Sequence, residues 1–160
     1  MASIEEKIGI IDQNYSRPFF SDGDFSTHDI IDYALKATGA ADIYITAFSL
    51  SEDAVRRLFF LKEDGMIKTM HCLFNNQMIR FKTDLYWFMS NVTNDIRFTP
   101  CHAKMIIIIG KFPVLIITSG NLTKNKRLET GFICTNKVMT NKMLSEFMKA
   151  YNNAQCYDPL

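Results

Sequence analysis

Hydrophobic and polar positions along this chain fall into short apolar runs separated by stretches with helical spacing. Residues 7–11 read as a first strand. Residues 14–24, with Pro18, Gly23 and several polar side chains, read as a loop. Ile30, Ile31, Tyr33, Ala34 and Leu35 predict a helix over 27–36 that stops at Gly39. A strand over 43–50 follows. Ser51 then caps a helix with Glu52 and Asp53 in its first turn; Val55, Leu58, Phe59 and Leu61 form its apolar stripe, and Gly65 ends it. Residues 67–74 predict a strand, 82–92 a helix and 95–98 a short strand. Residues 102–109 and 114–119 predict adjacent strands joined by Gly110-Lys111-Phe112-Pro113. A strand over 130–135 and a helix over 141–153, with Met143, Leu144, Phe147 and Met148 facing inward, complete the pattern.

Strands alternating with helices imply an α/β fold, and the hairpin makes its sheet mixed, with helices on both faces. The expectation is one domain over 1–160, opened by an N-terminal strand and loop over 1–26. The longest apolar runs, 105–109 and 114–117, are far too short to span a bilayer and read as buried central strands.

The chemistry concentrates in P-C-H-A-K-M-I-I-I-I-G-K-F-P-V-L-I-I-T-S-G-N-L-T-K-N-K-R-L-E-T-G, residues 100–131. Side chains alternate faces along a strand, so His102 and Lys104 are expected on one face, and Ser119 and Asn121 on one face at the end of the next strand. An imidazole, an ammonium, a hydroxyl and an amide at neighbouring strand ends suit the binding of a phosphate. His102-Ala103-Lys104, two apolar strands, Ser119-Gly120-Asn121 and the later Glu129 resemble the signature of the phospholipase D superfamily: H-x-K-x4-D, then G-S-x-N or G-G-x-N. The strand–helix–strand pattern of 41–74 resembles the unit that precedes this signature, so the likeness covers roughly residues 27–155. Thr118 stands where the family usually has glycine, and Ile109 where it has the aspartate.

The resemblance implies a phospholipase D-like fold and metal-independent phosphodiester chemistry without a cofactor. In that chemistry a histidine attacks phosphorus, a second histidine protonates the leaving oxygen, and water resolves the phosphohistidine. His102 would be the nucleophile, with Lys104 and Asn121 holding the non-bridging oxygens. Ser119 would bind the phosphate or orient a neighbour, and Glu129 would accept an N–H from a histidine and fix its tautomer. The chain carries one such signature and the chemistry needs two histidines, so the resemblance implies a homodimer that shares its site across the twofold axis.

Net charge is only +1, but no Asp or Glu occurs between Ile96 and Leu128, where Arg97, Lys104, Lys111, Lys124, Lys126 and Arg127 lie. A basic face there would attract phosphates, with Lys124, Lys126 and Arg127 as substrate contacts; a solvated turn is the plainer reading. Ser49 matches a polar position at the border of the family's site, or merely ends its strand. His28 reads as an exposed residue of a first helical turn and His71 as a half-buried strand residue. Tyr86 and Trp87, which have helical spacing, read as core rather than as a stacking platform. Cys72, Cys101, Cys134 and Cys156 are scattered, which fits reduced thiols better than a disulfide frame or a zinc site. With an acidic start that lacks an apolar core, this predicts a cytoplasmic location.

The expected function is a small nuclease acting on DNA or RNA. The alternatives are a phospholipase or phosphatidyl transferase, and a non-catalytic phosphate- or nucleic-acid-binding or assembly module. Ile109, Thr118 and the single signature favour the last.

Overall fold

The computed structural model describes residues 1–81, 83–124 and 126–156. In chain order the elements are α1 (Ile4–Ile8), β1 (Ser16–Asp22), α2 (Thr27–Thr38), β2 (Ala41–Ala47), α3 (Glu52–Glu63), β3 (Ile67–Asn75), α4 (Gln77–Phe81), α5 (Thr83–Met89), β4 (Ile96–Thr99), β5 (Met105–Ile109), β6 (Pro113–Thr118), β7 (Leu128–Cys134), α6 (Lys137–Asn153) and β8 (Gln155–Cys156). The strands form one mixed sheet in the order β1-β7-β6-β5-β2-β3-β4-β8. β2, β3 and β4 run parallel to their neighbours among themselves, while the β5–β6–β7–β1 half is antiparallel.

Helices cover both faces, as the alternating pattern implied. Ile43, Ile45, Ile106, Ile108, Val114 and Ile116 pack with α2 and α3 in the larger core. The opposite face, with Met105, Ile107 and Leu115, packs under Phe147 and Tyr151 of α6. The all-isoleucine run of β5 is explained by this double burial, since a central strand feeds both cores at once. Each fully buried aliphatic side chain contributes on the order of 1.5–3 kcal/mol.

Four expectations are corrected. Residues 7–11 hold no strand: α1 occupies Ile4–Ile8, begun by a capping box in which Ser3 accepts from Glu6 N–H and Glu6 accepts from Ser3 N–H. The expected 14–24 loop is largely β1, an edge strand in which Pro18 is tolerated because only one side of the ladder is paired. His28 is buried, at 6% exposure, and not on the surface. Trp87 is 47% exposed and is not core. Lys82, where the 82–92 helix was expected to begin, lies outside the described residues. β8 was not foreseen; two residues carry no periodicity.

Candidate active site

The strand end that carries the chemistry is built from backbone contacts. Cys101 C=O accepts from the Asn75 side-chain amide (2.9 Å), and Met105 N–H donates to Thr46 Oγ1 (2.9 Å). These two anchors hold 101–104 as an extended segment just ahead of β5. His102 and Lys104 therefore precede the strand and do not lie within it. Thr118 N–H donates to Lys104 C=O (3.1 Å), which sets the H-x-K segment beside the Ser119-Gly120-Asn121 turn. Thr118 replaces the family glycine without disturbing that turn. Its hydroxyl accepts from Gly120 N–H at 3.0 Å.

His102 is exposed and its ring packs on Phe48, with centroids 5.2 Å apart. Lys104 Nζ lies 3.4 Å from His102 Nδ1 and donates to His102 C=O (3.1 Å). Asn121 Oδ1 accepts from Phe48 N–H (3.1 Å) and Ser49 N–H (3.2 Å). The carbonyl end of that amide is thus occupied, and its NH₂ is the end left to meet a ligand. A parallel bridge between Leu50 and Leu122, with Ser51 N–H donating to Leu122 C=O (2.8 Å), ties the β2–α3 loop to the same turn. Ser119 donates its hydroxyl to the Glu129 carboxylate and accepts from Thr130 N–H (3.0 Å). In the single protomer Glu129 therefore engages Ser119 and not a histidine.

A cleft of about 380 Å³ opens here, lined by Phe48, Ser49, Ser119, Asn121, Thr123, Lys124, Arg127 and Glu129. Lys124 also lies 3.9 Å from Asp53 Oδ2. Lys126 lines a neighbouring cleft instead. The acid-free stretch does not form one basic face. Arg97 is stacked 4.3 Å over the Tyr151 ring and donates to Tyr151 C=O, and Lys111 sits at the opposite end of the sheet, in the β5–β6 turn. Lys104, Lys124 and Arg127 are the cations at the site end.

Ile109 is also at the far end of β5. Five residues from Lys104 at about 3.3 Å each place it roughly 17 Å away along the strand. It pairs with Asp42 and Pro113 and packs in the α6 core. The departure from the family pattern therefore lies at the strand end opposite His102 and Lys104.

Cys101 is buried, and burial pushes its thiol pKa up, so the thiolate needed of a nucleophile is disfavoured. All four cysteines are free thiols. Among the described residues no three His, Cys, Asp or Glu side chains are grouped to hold a metal ion. No described helix is long and apolar enough to cross a membrane.

The fold as a whole superposes on known structures. Nuc from Salmonella typhimurium, a phospholipase D family member, superposes with a TM-score of 0.68 over 91% of this chain and 99% of its own, at 18% identity. This chain shares that protein's fold. NucT from Helicobacter pylori is equally similar, with a TM-score of 0.69 over 89% of this chain and 100% of its own, at 14% identity. TrmBL2, an archaeal chromatin protein described as binding DNA, shares the fold more distantly, with a TM-score of 0.54 over 88% of this chain and 54% of its own, at 11% identity. No family profile matches the chain, and no curated protein matches it in sequence. The fold is thus shared with Nuc and NucT at identities where sequence comparison finds nothing.

Proposed function

We propose that this protein is a metal-independent phosphodiesterase that cleaves DNA or RNA, with His102 as nucleophile and a site completed by a second copy of the chain. The observation that carries this reading is the meeting of two segments at one strand end of a phospholipase D-like fold: Thr118 N–H donates to Lys104 C=O, Phe48 packs on His102 and donates its N–H to Asn121, and a cleft lined by Ser119, Asn121, Lys124 and Arg127 opens beside them. His102 forms a bond to phosphorus as the bond to the leaving oxygen breaks. The partner subunit's His102 gives that oxygen its proton. The same imidazole then takes a proton from water, whose oxygen attacks phosphorus and releases His102. Lys104 and the Asn121 NH₂ stabilise the charge that develops on the non-bridging oxygens.

Several observations support the assembly and substrate. Phe20, Ile117 and Leu128 are exposed on the α6 side of the sheet, beside the site, and α6 does not cover them. A second copy packed there would cover them and bring the two histidines together. The nucleic-acid choice rests on the cationic wall and on the fold shared with Nuc, NucT and the DNA-binding TrmBL2. The free cysteines accord with a reducing, cytoplasmic setting.

The test is hydrolysis of single- and double-stranded DNA, RNA and bis-(p-nitrophenyl) phosphate in excess chelator, wild type beside His102→Ala. Cleavage by the wild type alone is expected. A folded wild type inert on every substrate would favour a non-catalytic binding module, and activity confined to phospholipids would favour the lipid enzyme.

A further inference from the structure

A second cleft, of about 500 Å³, opens between the first turns of α2 and α3 and residues Lys124 and Lys126. It has Lys124 in common with the first cleft. Its lining separates into two kinds. Lys124 and Lys126 stand on the loop, and among the described residues Lys126 has no ion-pair partner. The helix side holds the aromatic rings of Phe25 and Phe60, the His28 imidazole, the Asp53 carboxylate, and Arg56 and Arg57, whose guanidinium groups pair with Glu52 and with Asp29 and Asp32.

These groups suit a base. Both arginines are already engaged by carboxylates, which lowers the attraction this side offers to a phosphate. Burial holds the His28 pKa down, which favours an uncharged imidazole in the lining. Phe60 lines the cleft with 55% of its surface exposed, its ring set edge-to-face against Phe59 at 5.8 Å between centroids. Aromatic faces accept any base by stacking, and carboxylates accept hydrogen bonds from exocyclic amines. Gly23, at φ +71°, lies so close to the Lys126 backbone that a Cβ there would stand 3.0 Å from Lys126 Cα, so only glycine lets the two segments meet at the cleft.

We infer that this cleft takes the base of a nucleotide flanking the scissile phosphate of a single-stranded nucleic acid, stacked on Phe60, with the intervening phosphate held at Lys124 and Lys126. The inference rests on the phosphodiesterase reading for its substrate class and adds to it a base-binding subsite outside the reacting centre.

The experiment reads binding, so it is independent of cleavage. Fluorescein-labelled single-stranded oligonucleotides, in DNA and RNA sets, carry one abasic residue moved through every position, and anisotropy is measured with His102→Ala protein. Removal of the base at one position is expected to weaken binding about tenfold, a loss within the range of a single base–aromatic stack. Adding Phe60→Ala is expected to weaken binding of the intact strand by a similar factor and to flatten the ladder. A flat ladder with the Phe60 ring present overturns the inference, as does the same dip surviving Phe60→Ala. Absence of binding to either set overturns it too. Wild-type cleavage alongside a flat ladder leaves the hydrolase reading standing and removes only the base subsite. A position-specific dip in a protein that cleaves nothing does the reverse.

Discussion

Asn121 accepts two backbone N–H groups through one side-chain oxygen, from Phe48 at 3.1 Å and Ser49 at 3.2 Å. The side chain thereby clamps the β2–α3 loop while its NH₂ remains available, so structure and chemistry are divided between the two ends of one amide. Asn121→Asp separates them. The carboxylate still accepts both N–H groups, and more strongly, so thermal stability is expected to hold. The donor facing the phosphate becomes an anion, so kcat/KM on bis-(p-nitrophenyl) phosphate is expected to fall about 100- to 1,000-fold. Equal losses of melting temperature and activity would mean that the residue serves only the loop.

Ile109 occupies the position of the family's motif acid yet faces Asp42 across the β5–β2 ladder and packs in the α6 core. Restoring the motif by Ile109→Asp would place two carboxylates directly opposite each other in a half-buried setting. The expected outcome is a loss of about 1–3 kcal/mol of stability with kcat unchanged, measured by urea denaturation and hydrolysis side by side. A rise in kcat would show that the acid contributes from the far end of the strand.

The buried strands were legible in the sequence because a doubly covered strand must be apolar throughout, as β5 is. The neighbourhood of the H-x-K segment and the Ser119–Asn121 turn followed from the β5–β6 hairpin, although His102 and Lys104 stand ahead of β5 rather than within it. β1 was not legible. Ser16–Asp22 contains Pro18 and three polar or charged residues before its end, and becomes a strand only because β7 offers it a ladder. α1 was misread because 7–11 alternates, although the Ser3 to Glu6 spacing already carried its start signal. His28 was misplaced because helical phase alone does not reveal that α3 packs against that turn. The base cleft joins the ends of α2 and α3 to a loop distant in sequence, so no local pattern announces it.

Burial lowers the His28 pKa, with Arg57 and Lys124 acting in the same direction and Asp29 and Asp53 opposing them. The unfolded chain therefore binds a proton at His28 more readily than the folded one. Its contribution is fully present above about pH 6.5, the ordinary histidine value, and is lost as pH falls below it. The melting temperature is expected to decline between pH 7 and pH 5, and His28→Gln to make that decline shallower. An unchanged slope in the variant would show that the imidazole titrates freely in the fold.

The register places Phe20, Ile117, Leu128 and Phe132 on one face of the sheet: Phe20 opposes Thr130, Asp22 opposes Leu128, and Ile117 opposes Phe132. Leu128 is 62% exposed and Phe20 56%, beside the strand end that carries Ser119 and Glu129. A contiguous apolar face at that place suits a twofold contact, where each side chain counts twice. Leu128→Glu would set two carboxylates near the axis and is expected to yield monomer by light scattering at micromolar concentration. Circular dichroism should be unaltered, because the side chain is outside both cores. Phosphodiester hydrolysis should be lost with the dimer, since the leaving oxygen would have no histidine to protonate it. A monomeric variant that keeps full activity would require the second proton donor to come from within the same chain, and a variant that stays dimeric would place the contact on another surface.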